Sequence, residues 1–157
     1  MILRFILTGF YIGKIKYAPG TFGTLLAIPM FLLIQDLSLI SKILFVFLFF
    51  LLSLFLLNTS YKRKVFDEID DKSIVIDEII GYLVFIIFFE NTLFDLTIGF
   101  LLFRLFDIIK PYPISLIDKK MKNALGVILD DIIAGLFSGI TLFIIIHALK
   151  WKFFKMV

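Results

Sequence analysis

ILFVFLFFLLSLFLLNTSY, residues 43–61, runs for 19 residues without a charge. At about 1.5 Å of rise per residue, a helix of that length crosses the roughly 30 Å apolar core of a bilayer. Upstream, residues 17–35 (YAPGTFGTLLAIPMFLLIQ) form a second uncharged run of 19 residues between Lys16 and Asp36. Pro29 within it predicts a kink, not a break, because membrane helices tolerate proline. Downstream, 18 uncharged residues follow Asp131, predicting a last helix from about residue 126 to 149. The 157-residue chain is 61% hydrophobic with a mean hydropathy of +1.08, more apolar surface than a soluble domain of this size can hide. The expected fold is all-α: one domain over residues 1–157, a polytopic membrane helix bundle.

The middle of the chain is less regular. Only 11 uncharged residues separate Glu78 from Glu90, and eight separate Asp95 from Arg104. Two short helices are expected, near 77–90 and 94–109, with a turn at residues 90–95. The second stops at Lys110-Pro111, since proline disfavours helical geometry in the residue before it, and Pro113 reinforces the stop. A polar linker over 110–123 follows. Spans therefore number four to five. At the N-terminus the apolar run is short, contains Arg4 and has no small-x-small cleavage site before Lys14. An interfacial amphipathic helix at residues 2–12 is expected there, not a removed signal peptide.

Loop charge sets the topology. Residues 58–76 carry Lys62, Arg63 and Lys64, and the 110–123 linker carries Lys119, Lys120 and Lys122. The 35–42 and 90–95 turns carry one lysine between them. The positive-inside rule places both basic loops in the cytoplasm. Alternating helices then bring Gly20-Thr21, Asp77-Glu78, Arg104, Asp107, Lys110 and Asp130-Asp131 to that same face. With five spans the C-terminal Lys150, Lys152 and Lys155 would lie outside, which keeps four open. The net charge, 16 − 13 = +3, fits anchoring against anionic lipid. No basic–aromatic stripe points to nucleic acid.

Carboxylates at the ends of apolar runs are costly unless they pair, bind a cation or reach water. Four motifs share that face. PGTFGT (19–24) offers Gly20, Gly23 and the Thr21 and Thr24 hydroxyls at a helix start, either an ordinary cap or a phosphate cradle. DEIIGY (77–82) places two carboxylates at a helix N-terminus, as a charged cap or as metal ligands, with Gly81 one turn on to admit a neighbouring helix. FRLFDIIKPYPI (103–114) sets Arg104 and Asp107 on one helix face with Lys110 a turn further, as an internal salt bridge or a phosphate cradle. GVILDDIIAG (126–135) sets Asp130 and Asp131 above Ala134, Gly135, Ser138 and Gly139, as a surface cap or as inward ligands. Inward carboxylates need a cation between them, and all-oxygen ligands suit Mg²⁺.

Phosphoryl-transfer chemistries built on cysteine, paired histidines or an Asp-x-Asp nucleophile lack their residues. There is no cysteine and only one histidine, His147, which sits far from the acidic motifs. No Asp-x-Asp pair of the haloacid dehalogenase kind is present.

The four motifs, in this order and at this spacing, resemble the phosphatidylglycerophosphatase A family over about residues 17–140. The resemblance implies a Mg²⁺-dependent phosphatase of the bacterial inner (cytoplasmic) membrane. Its substrate would be an anionic phospholipid, phosphatidylglycerophosphate, converted to phosphatidylglycerol. The family also has soluble helical relatives; this chain's hydropathy favours the membrane branch. On this expectation Asp77, Glu78, Asp130 and Asp131 hold the metal. Asp77, Asp107 and Asp131 are catalytic, and Arg104, Lys110, Thr21 and Gly20 bind the phosphate. Two other classes stay open. A CDP-alcohol lipid phosphotransferase would need a DG-x2-AR pattern that is missing, and a cation transporter would place its carboxylates near mid-membrane.

Overall fold

The structure is a computed structural model that describes residues 1–69, 71–89 and 92–154. Among these, seven α-helices and no strand occur: α1 (Ile2–Leu7), α2 (Pro19–Leu32), α3 (Leu39–Lys62), α4 (Ile76–Ile86), α5 (Leu93–Ile109), α6 (Ile114–Lys120) and α7 (Ala124–Phe154). Two of them, α3 and α7, are long and apolar enough to cross a membrane. Helix α3 begins at Ser38, whose hydroxyl accepts from the Ser41 amide at 3.3 Å, and extends past the apolar run to Lys62. It exposes Leu44, Phe47, Leu48, Leu51 and Phe55. These recur at helical spacing, so one whole face is greasy and outward, the pattern of a helix solvated by lipid.

Helix α4 is the hub. Nine of its 11 residues are buried, and it packs on α2, α3, α5 and α7. A helix apolar on every side belongs in the middle of a bundle. Its crossing with α7 has almost no side chain between the backbones. A Cβ on Gly135 would sit 2.1 Å from the Gly81 carbonyl oxygen, and one on Gly81 would sit 2.6 Å from that of Asp131. Gly81 thus admits the close approach expected of it. Further along, Gly139 faces Phe85 and Phe89. The pairings 81 with 131–135 and 85–89 with 139 show that α4 and α7 run parallel.

Several boundaries differ from expectation. Helix α1 ends at Leu7, not at residue 12, because Gly9, Phe10 and Tyr11 all take positive φ. The turn is held from outside: the Val75 amide donates to the Leu7 carbonyl at 3.0 Å. Helix α2 is 14 residues, with Pro29 inside and no break; Ala18 at left-handed φ and Pro19 at the first turn set its start. Helix α4 stops at Ile86, where 3₁₀-type bonds from Phe88 to Phe85 and from Phe89 to Ile86 tighten its end. Helix α5 starts with a capping box between Thr92 and Asp95, which explains the buried Asp95. The expected turn at Glu90 and Asn91, and Lys155, lie outside the described residues. The 110–123 linker contains α6, seated by the fully buried Ile114.

Candidate active site

Helix α7 begins at Ala124, and Asn123 Oδ1 accepts the Gly126 amide at 2.9 Å as its cap. Asp130 and Asp131 are therefore not helix caps. They lie almost two turns inside, 5% and 4% exposed, where unneeded carboxylates would be costly. Each serves a different cluster, because adjacent helix residues point about 100° apart.

Asp131 faces the start of α4. One carboxylate oxygen from each of Asp77, Glu78 and Asp131 lies within 4.8 Å of the others. Asp77 is buried and its Oδ1 accepts the Glu78 amide at 3.1 Å. Glu78 Oε2 is buried with no hydrogen-bond partner. Arg104 reaches the trio at its edge, with Nη1 3.9 Å from Glu78 Oε1. The same guanidinium is held by Asp107 at 2.7 Å and donates to Thr24 Oγ1 at 3.4 Å, while its buried Nε has no partner. Gly20, at the start of α2, closes this corner: a Cβ there would lie 2.1 Å from Glu78 Oε1 and 3.0 Å from Arg104 Nη2.

Asp130 faces the other way. Lys110 Nζ donates to Asp130 Oδ2 at 2.6 Å and to Asp118 Oδ1 at 2.9 Å. Lys110 ends α5 at left-handed φ (47°), which turns the chain so that its side chain bridges α6 and α7. Burial works against its ammonium, but the two carboxylates outweigh that and raise its pKa. Burial likewise works against the Asp118 charge, and Lys110 and then Lys122 outweigh it and lower the pKa.

A cavity of about 220 Å³ joins the two clusters. Asp77, Glu78, Asp107, Asp130, Asp131 and Lys110 line it, with Asp71 and Lys72 from the loop before α4. Three carboxylates in mutual reach and one orphaned oxygen fit a hard divalent cation held by oxygen alone.

The expected residues thus converge on one cavity. Asp130 lines it beside the trio and is ion-paired with Lys110 at 2.6 Å. Lys110 is already engaged by two carboxylates. Thr21 is half-buried and does not line the cavity; within 19–24, Gly20 meets Glu78, Pro19 lines the cavity, and Thr24 meets Arg104. Asp71, Lys72 and Asp118 were not singled out from sequence, and only the i, i+4 spacing of Asp118 and Lys122 hinted at pairing. His147 bonds its own Phe143 carbonyl and is exposed, as its isolation implied.

The family model for phosphatidylglycerophosphatase A matches residues 5–146. Phosphatidylglycerophosphatase A of Haemophilus influenzae is 33% identical over 147 residues, covering 91% of this chain and 88% of the relative. The Escherichia coli protein of the same name is 33% identical over 140 residues, covering 88% and 80%. A Bacteroides thetaiotaomicron protein with the provisional name phosphatidylinositol-3-phosphatase is 30% identical over 152 residues, covering 92% and 91%. No solved structure matches.

Proposed function

The chain belongs to the phosphatidylglycerophosphatase A family, and on that footing we propose that it hydrolyses phosphatidylglycerophosphate to phosphatidylglycerol and inorganic phosphate. The observation that carries the reading is the clustered trio Asp77, Glu78 and Asp131, which opens on a cavity and meets Arg104 through Glu78. These three would hold Mg²⁺, which when bound supplies positive charge to the phosphoryl oxygens and acidifies a water. Arg104 is positioned for the phosphate by Asp107 and Thr24, and its unpartnered Nε leaves donor capacity. Asp107 Oδ2 holds the Arg104 guanidinium at 2.7 Å, so its assigned role is to orient Arg104. Lys110 contributes by fixing α7 through Asp130 and by placing positive charge on the cavity wall.

The chain is read as a multi-pass protein of the bacterial cytoplasmic membrane with four to five spans. Its site faces the cytoplasm, on the side of the basic 58–76 and 110–123 segments. Because the trio sits at the start of α4 and near the start of α7, a mid-membrane ion path is not favoured.

The test is phosphate release from phosphatidylglycerophosphate by purified protein in detergent, with Mg²⁺ and with EDTA. Phosphatidylinositol-3-phosphate and a CDP-activated lipid run in parallel. Metal-dependent release from the first lipid is expected. Release from the inositol lipid alone would transfer the assignment to that headgroup, and CMP release would move it to the phosphotransferase class.

A further inference from the structure

Beyond the Gly81–Gly135 crossing, α4 and α7 part to leave an apolar groove of about 280 Å³, lined by Phe85, Phe89, Leu136, Gly139, Ile140 and Phe143 among others. We propose that this groove binds one acyl chain of the same lipid whose phosphate enters the carboxylate site; the proposal rests on the lipid-phosphatase reading above.

Three observations select that occupant. First, the groove lies along the two helices that supply the trio. Both run parallel away from it, and Gly135 is one turn past Asp131. Second, Phe143 is twelve residues beyond Asp131, about 18 Å along α7. In phosphatidylglycerophosphate a glycerol, a phosphodiester and the diacylated glycerol lie between the terminal phosphate and the chains, and about 18 Å outreaches that headgroup. A lipid with its terminal phosphate at Asp131 therefore brings the upper part of a chain, not its end, beside Phe143. Third, the floor is aromatic and glycine-lined: a Cβ on Gly139 would meet Phe89 at 3.6 Å and Phe85 at 3.8 Å, ordinary contact, so the glycine leaves usable space instead of relieving a clash. Ile140 and Phe143 are 60% and 57% exposed, so a chain can enter sideways from the bilayer.

The test uses Gly139→Leu, whose side chain fills the groove, with Gly139→Ala as a control that fits. In mixed micelles, Gly139→Leu should lower kcat/KM for a long-chain phosphatidylglycerophosphate by about tenfold and leave the dihexanoyl substrate unchanged. Equal losses on both substrates, or none on either, would overturn the proposal. A second readout needs no catalysis. Phosphatidylglycerol with a diazirine in the upper part of one chain, a few carbons below the ester, is photolysed in bilayers holding the wild-type protein. Label should concentrate on Ile140 and Phe143 over Phe47 and Phe55 of α3, which are equally open to lipid at 53% and 66% exposure, and Gly139→Leu should abolish the difference. Even labelling with intact phosphate release removes the chain site and keeps the phosphatase. Groove-focused labelling without any phosphate release keeps the chain site and removes the phosphatase.

Discussion

Asp130 and Asp131 are neighbours in sequence and line one cavity, yet they meet different partners. Asp130 meets Lys110 at 2.6 Å, and Lys110 in turn meets Asp118 at 2.9 Å, so that cluster carries its own counter-charge. Asp131 meets Asp77 and Glu78, acid against acid, with Arg104 only at the margin. A protein gains nothing in stability from packing three carboxylates together, because each raises the cost of ionising the others. The first cluster is explained by folding alone; the second is the one that the proposed Mg²⁺ would explain. The contrast separates architecture from chemistry within a single dipeptide.

The largest effect should come from Asp131→Asn. Phosphate release should fall by about 10³-fold or more, because the change removes one of the three carboxylates proposed to hold Mg²⁺. The folded protein should be as stable as wild type or more so, since a repulsion is relieved. Added Mg²⁺ should raise the Tm of the wild type and not of the variant, by the linkage of binding to folding. A variant that loses stability along with activity would erase the distinction between the clusters.

Asp130→Asn should do the reverse. It strips Lys110 of its better-buried partner and should cost about 2 kcal/mol, below the range for fully buried pairs because Lys110 is partly exposed. The Tm should drop, and activity measured well below the new Tm should fall far less than in Asp131→Asn. Abolished activity at an unchanged Tm would return Asp130 to the metal set.

The smallest effect should come from Asp118→Asn, read against pH. The folded pKa of Asp118 is lowered, so its pairing stabilises the protein above the ordinary carboxylate pKa of about 3.9 and is lost as pH falls through the lower folded value. The Tm gap between wild type and variant should therefore be present at neutral pH and close in acid. A gap that widens in acid would show that Asp118 is not the group paired with Lys110.

Much of this was legible in residue order. Residues 43–61 are uncharged without interruption and mostly apolar, so their helix needed no tertiary help to be read. Asp77, Glu78, Arg104 and Asp131 stood out because charge is expensive beside apolar runs. What sequence could not supply was rotation: nothing in DD says that its two carboxylates face different helices. Nor does PGTFGT say that Thr24, one turn past Gly20, is the hydroxyl that meets Arg104. The left-handed backbone at Phe10, Tyr11 and Lys110 was equally hidden, since those residue types do not ask for it and surrounding contacts impose it. Helix α6 was missed because seven residues, mostly polar, carry too little periodicity to read.

The contact between Gly81 and Gly135 has one more consequence. With no side chain between them, backbone dimensions alone set the gap between α4 and α7, and that gap fixes how far Asp77 and Glu78 stand from Asp131. If the trio holds the proposed Mg²⁺, the crossing is a gauge for it. Any larger residue at either glycine would widen the cage by the thickness of a methyl group, favouring a bigger cation over a small one. Two residues that touch no ligand would thereby decide which metal the site prefers.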